Sequence, residues 1–176
     1  MIKRVLFVLI LLIGSLSSKA ELYYCVNAGS ELSSSTPVMM VYIRGGKGYV
    51  ISRKASEISA KLYSNSNYWN SYMSQKLSEY SDPYVYDSSL STSSYTVYRS
   101  EWRGASQPTY SPGWGGGTWG VAKGSLLGYH YKAISKDGET IISWKQRKGS
   151  EEILNKEYYE VIRPTELNKD PHDFLQ

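Results

Sequence analysis

The segment from Leu126 to Trp144 constrains the fold more than any other part of the chain. Leu126 to Ile134 is a β-prone run, Ser135-Lys136-Asp137-Gly138 is a turn, and Thr140 to Trp144 is a second β-prone run. Asp-Gly is the pair expected in a tight hairpin turn, where the glycine or its neighbour takes a positive φ. A chain with such a hairpin must build antiparallel sheet around it. Val38 to Ile43 is continuously apolar and is followed by Gly45-Gly46-Lys47-Gly48 and Tyr49-Val50-Ile51, a second hairpin. Because the first of these strands is apolar on both faces, its place is central in the sheet. Tyr84-Val85-Tyr86, Tyr95 to Trp102 and Glu157 to Ile162 supply further strands, and Pro164 stops the last one.

Between the first hairpin and these later strands the period changes. Ala55, Ile58 and Leu62 fall at helical spacing, and Trp69, Tyr72, Met73, Leu77 and Tyr80 form a stronger stripe on one helical face. Ser66 or Asn67 can cap the second helix, and Pro83 ends it by Asp82. The spacing predicts helices over about 55–63 and 67–81. The expected fold is therefore α+β, a twisted antiparallel β-sheet with the two short helices packed on one face. Residues 27–37 and 104–120 read as loops, the second holding Pro108, Pro112 and six glycines. Residues 21–163 are expected to form a single globular domain, and 164–176 a polar, loosely held tail.

The N-terminus reads as an export signal. Lys3 and Arg4 are basic, Val5 to Ile13 is unbroken apolar chain, and Ser18-Lys19-Ala20 places small residues where a signal peptidase needs them. The expected cleavage lies between Ala20 and Glu21. The apolar core falls well short of the roughly 20 residues that span a bilayer, so no stable membrane anchor is expected after cleavage. The protein is expected to be periplasmic or secreted. Lys3, Arg4 and Lys19 leave with the signal, so 17 basic residues face 16 acidic ones. That balance lacks the basic stripe of a nucleic-acid binder, and no nucleic-acid partner is expected.

The chain has one cysteine, so Cys25 cannot form an intramolecular disulfide. Within Leu22-Tyr23-Tyr24-Cys25-Val26 it is expected to be buried, and Tyr24 before it is a poor fit to a lipidation motif. Stability must come from packing. The chain carries 17 Tyr and 5 Trp against 2 Phe, a bias toward side chains with an apolar body and a polar tip.

Recognisable chemistry is sparse. Pro112 to Gly120 contains Gly115, Gly117 and Gly120 at dinucleotide-fingerprint spacing, but prolines precede it and β-prone sequence follows, so no helix N-terminus can meet a pyrophosphate. His130 and His172 are far apart, and no Cys or His pair has metal-ligand spacing. Asp170, His172 and Asp173 cluster in the tail. No cofactor and no metal is expected. A nucleophile would have to come from Cys25 with His130 as base, yet no motif surrounds either residue.

The leading expectation is a non-enzymatic binding or interaction protein that uses aromatic surface residues on a protein or glycan partner. Trp114 and Trp119, with Tyr110, are the expected contacts, carried by a glycine-rich loop. The alternatives are a small cell-envelope hydrolase with His130 in its site, and a structural or assembly subunit joined through a sheet edge.

Overall fold

A computed structural model describes residues 19–113 and 116–168. Ten strands occur among them: β1 (Glu21–Asn27), β2 (Pro37–Arg44), β3 (Lys47–Lys54), β4 (Tyr84–Tyr86), β5 (Tyr95–Arg103), β6 (Gln107–Ser111), β7 (Thr118–Ala122), β8 (Leu126–Ser135), β9 (Thr140–Arg147) and β10 (Ile153–Ile162). Three short helices accompany them: α1 (Ala55–Ser64), α2 (Tyr68–Glu79) and the single turn α3 (Pro164–Leu167). The main ladder runs β1-β10-β9-β8-β5-β4-β3-β2 and closes on itself as an antiparallel barrel, while β6 and β7 form a separate two-stranded sheet.

This corrects the expected fold class. The protein is a closed eight-stranded β-barrel, not an open α+β sheet with helices packed on one face. Closure gives every strand of the ladder two neighbours and removes the exposed edges that an open sheet would leave. The local periods that identify strands and helices do not encode which strands pair across long stretches of chain.

The chain divides into two compact units. Among the described residues, one holds 19–26, Glu31–Pro83 and 162–168. In it β1, β2 and β3 pair in sequence, Tyr24 opposite Met40 and Tyr42 opposite Tyr49. The β2–β3 turn is Gly45-Gly46 with φ of 57° and 74°, as a two-residue hairpin loop requires. From Val38 to Ile43 every residue of β2 is buried, which explains its unbroken apolar run. Val38, Met40 and Tyr42 share a core with Tyr24 and Val26 of β1 and with Ala55, Ile58, Leu62, Trp69 and Met73 of the helices. By strand alternation Met39, Val41 and Ile43 face the other way. Cys25, paired opposite Met39, is fully buried and reduced. Leu167 of α3 is fully buried in the helix-side core.

The second unit holds Asn27–Ser30 and Tyr84–Val161. Its centre is the β5–β8–β9 ladder, with Val97, Tyr131 and Ala133 buried on one face against Tyr95, Tyr129, Ile142 and Trp144. The rings of Tyr131 and Trp144 stack at 5.0 Å. The Asp87 carboxylate pins the chain entering β5: Oδ1 accepts from the Ser89 amide (3.0 Å) and hydroxyl (2.6 Å), and Arg99 Nη1 lies 3.1 Å from Oδ2. Burial raises its pKa, but the Ser89 hydrogen bonds and Arg99 outweigh it and hold the group below the usual carboxylate range. β10 carries a bulge between Leu154 and Glu157, where Asn155 takes φ 49°. Asparagine tolerates that region better than most residues.

In the β8–β9 turn, Gly138 has φ 75° and its amide donates to the Ser135 carbonyl at 2.9 Å. Asp137 Oδ1 accepts from the Glu139 amide at 2.9 Å. Gly138→Val should therefore lower stability by about 1–2 kcal/mol, because a β-branched residue resists positive φ. Equal melting temperatures for variant and wild type would contradict this turn geometry.

Candidate functional site

The expected 104–120 loop is corrected in part: Gln107–Ser111 and Thr118–Ala122 are strands and form a ribbon inserted between β5 and β8. Each strand alternates. Pro108 pairs with Val121 and Tyr110 with Trp119, so these four share one face. Gln107, Thr109, Ser111, Thr118, Gly120 and Ala122 occupy the other. The ribbon is thus apolar on one side and polar or small on the other. Both strands are exposed throughout.

The apolar side stands open. Tyr110 is 53% exposed, Trp119 74% and Val121 75%. The Tyr110 and Trp119 rings lie 5.0 Å apart at 50°. Such a cross-strand aromatic pair stiffens a ribbon that has no third strand. A Cβ on Gly117 would fall 2.0 Å from Tyr110 Cζ, so the Tyr110 ring lies over the glycine and would have to swing aside for any larger residue. The root is tight as well. The Gly104 amide donates to the Ser125 carbonyl at 2.9 Å, and Arg103 Nη1 donates to the Gly124 carbonyl at 3.0 Å. A Cβ on Gly124 would meet the Gly104 carbonyl oxygen at 2.1 Å. The glycines of this segment therefore serve close approach at the ring and at the root.

Two of the three expected contact residues, Tyr110 and Trp119, thus meet on one exposed face. Trp114 lies outside the described residues, as do residues 1–18 with most of the expected signal, and Asp170, His172 and Asp173. The period-2 alternation of Gln-Pro-Thr-Tyr-Ser and Thr-Trp-Gly-Val-Ala was the available signal for the ribbon. The surrounding prolines and glycines masked it. Pro108 is compatible with a strand here because β6 has an open edge.

His130 lies on β8, half-buried, with its ring 6.0 Å from that of Trp102 at 79°. Its direct cross-strand partner on β9 is Lys145. Burial, then the charges of Lys145 and Lys132, push the imidazole below its usual pKa, so it is neutral at pH 7. A general base of the triad type needs an acceptor to orient its N–H. Around this imidazole stand the Trp102 indole, the charges of Lys145 and Lys132, and Ser100 as its cross-strand partner on β5. Among the described residues no group of three or more His, Cys, Asp or Glu side chains is placed to hold a metal ion. No described helix is long and apolar enough to cross a membrane.

Comparison with protein families, with curated proteins and with solved structures finds no match to this chain.

Proposed function

We propose that this chain is an exported, non-enzymatic interaction protein that grips a partner protein through the aromatic face of the β6–β7 ribbon. The observation that carries the reading is the exposure of Tyr110, Trp119 and Val121 together on one side of a two-stranded sheet. A ribbon of two strands is marginal in water on its own, and a covering partner removes that cost. Each of its strands has an open edge that can accept an added strand. No charged residue occurs from Gly104 to Ala122, so the face suits an uncharged, extended protein segment. Open backbone edges favour a protein over a glycan, which has no strand to add. Export is supported by the basic and apolar N-terminal pattern. β1 begins at Glu21, so cleavage after Ala20 would cut no strand.

The test uses a photo-crosslinking residue at position 119 in the native envelope, followed by affinity measurement with the captured protein. Trp119→Ala should weaken that affinity about 30-fold, equal to the roughly 2 kcal/mol of a hot-spot residue, and leave the melting temperature within error. Tyr63→Ala, on an exposed position of α1, should change neither. Retained affinity in Trp119→Ala, or its loss together with a collapse in stability, would sink the contact role. If Trp119→Ala instead abolished binding to isolated envelope glycan, the partner class would be wrong.

A further inference from the structure

The two open edges of the ribbon are not equivalent. Pro108 has no N–H, yet it sits opposite Val121 within an unbroken run of paired residues from Gln107 to Ser111. In an antiparallel ladder, directly opposed residues alternate between pairs that exchange both backbone hydrogen bonds and pairs that exchange none. A proline cannot belong to the first kind. The exchanging pairs are therefore Gln107 with Ala122, Thr109 with Gly120, and Ser111 with Thr118. The N–H and C=O groups of Trp119 and Val121 then point away from β6, to the open side of β7. On the open side of β6 only Tyr110 offers both groups, because Pro108 lacks its donor. The β7 edge is complete and the β6 edge is blunted.

We propose that the β7 edge pairs antiparallel with the β7 edge of a second copy of this chain, joining the two ribbons into one four-stranded sheet. This rests on the reading of the ribbon as a contact surface and names its partner. A two-fold axis brings the same residues of both copies together, so any charge near it opposes itself. No charged residue occurs from Gly104 to Ala122, which suits the edge to its own copy. One register pairs every residue of β7 and none beyond it. In that register Gly120 meets Gly120 of the second copy on the axis, Trp119 lies opposite Val121 of the second copy, and Thr118 opposite its Ala122. The outward backbone groups of Trp119 and Val121 are then satisfied on both copies. Trp119 beside Val121 is an aromatic–β-branched pair, a kind that stabilises sheets. Glycine suits the axis, where the opposed residues exchange no bonds and approach most closely, at about 4.5 Å between Cα atoms. Lys123, just past the strand, falls opposite Gly117 of the second copy and away from its own counterpart. Sliding the register by two residues sets Trp119 or Val121 against itself and takes the pairing beyond the strand.

Two short strands make a small interface, so the pairing is reversible and depends on concentration. Sedimentation equilibrium of the purified chain should pass from monomer toward dimer between about 10 μM and about 1 mM, the range of weak interfaces. Val121→Pro should stay monomeric throughout with an unchanged melting temperature, because it deletes an outward N–H and no bond of the ribbon. A disulfide gives a second readout. A Cβ on Gly120 meets only Thr109 Oγ1, at 3.3 Å, which a small rotation of the hydroxyl relieves. With oxidised glutathione, Gly120→Cys should give a covalent dimer, since Cα atoms about 4.5 Å apart suit a disulfide. Thr109→Cys should not, because β6 and its counterpart would be separated by both β7 strands. The native thiol of Cys25 is fully buried and does not compete. A chain still monomeric at about 1 mM, a Val121→Pro variant that dimerises like wild type, or equal disulfide yields from the two cysteine variants would overturn self-pairing. The contact reading fails separately. A photo-crosslinker at position 119 should capture the Thr118–Ala122 segment of a second copy. Capture of a different protein alone would overturn self-pairing and keep the contact reading, and capture of nothing would overturn both.

Discussion

Replacing Trp69 with alanine should lower the free energy of unfolding by about 3–5 kcal/mol, the cost of emptying a buried aromatic site. The indole is 5% exposed and lies in a core with Val38, Met40, Ile58 and Met73. Its edges meet Tyr68 and Tyr72 at centroid distances of 5.0 and 5.5 Å. Its Nε1 donates to the Ile58 carbonyl at 3.1 Å, which ties α2 to α1. Trp69→Phe keeps most of the volume and loses that hydrogen bond, so its cost should be smaller, about 1–2 kcal/mol. Urea unfolding followed by circular dichroism measures both. A Trp69→Ala loss under about 1 kcal/mol would mean that the indole is solvated in solution.

Gly128→Ala should be nearly as damaging, at about 3 kcal/mol or more, although it adds one methyl group. The new Cβ would lie 2.1 Å from the Gln146 carbonyl oxygen and 2.9 Å from Arg147 Cα. Both atoms belong to the β9 backbone, and Gly128 is itself paired with Arg147. No rotamer change relieves a collision with backbone, so the β8–β9 ladder must open at that point. Gly149 supplies the control. It has φ 73° but open space around its missing Cβ, so Gly149→Ala should cost only the strain of positive φ, about 1–2 kcal/mol. Thermal unfolding of the two variants separates collision from strain. Equal small losses in both would show that β9 yields at the Gly128 contact.

Local patterns in the chain were legible where a single element determines them. Trp69 and Met73 stand one turn apart, and both are buried. The unbroken apolar run in β2 announced burial on both faces. Gly45-Gly46 and Asp137-Gly138 marked turns because positive φ is a property of the residues themselves. The ribbon was read as loop because prolines and glycines outweigh a two-residue alternation when strands are only five residues long. Tyr110 and Trp119 were legible as large aromatic side chains on a segment poor in apolar neighbours. Their direct pairing was not, since register between residues nine apart depends on the turn between them.

The His130 face shows the same division. The sequence displays His130 within Tyr129-His130-Tyr131 and the cluster Lys145 to Lys148, and neither resembles a site. Only the register of β8 on β9 puts His130 opposite Lys145 and Lys132 opposite Ser143. By itself the sequence determined the strands that follow apolar runs, the two longer helices, the glycine turns and the aromatic character of the exposed segment, because each depends on neighbours a few residues away. Tertiary structure alone decided that the strands close into a barrel and that β6 and β7 stand outside its ladder. It also decided which side chains share a face. Those outcomes depend on pairings between strands distant in the chain, whose hydrogen bonds are made by backbone that every sequence carries.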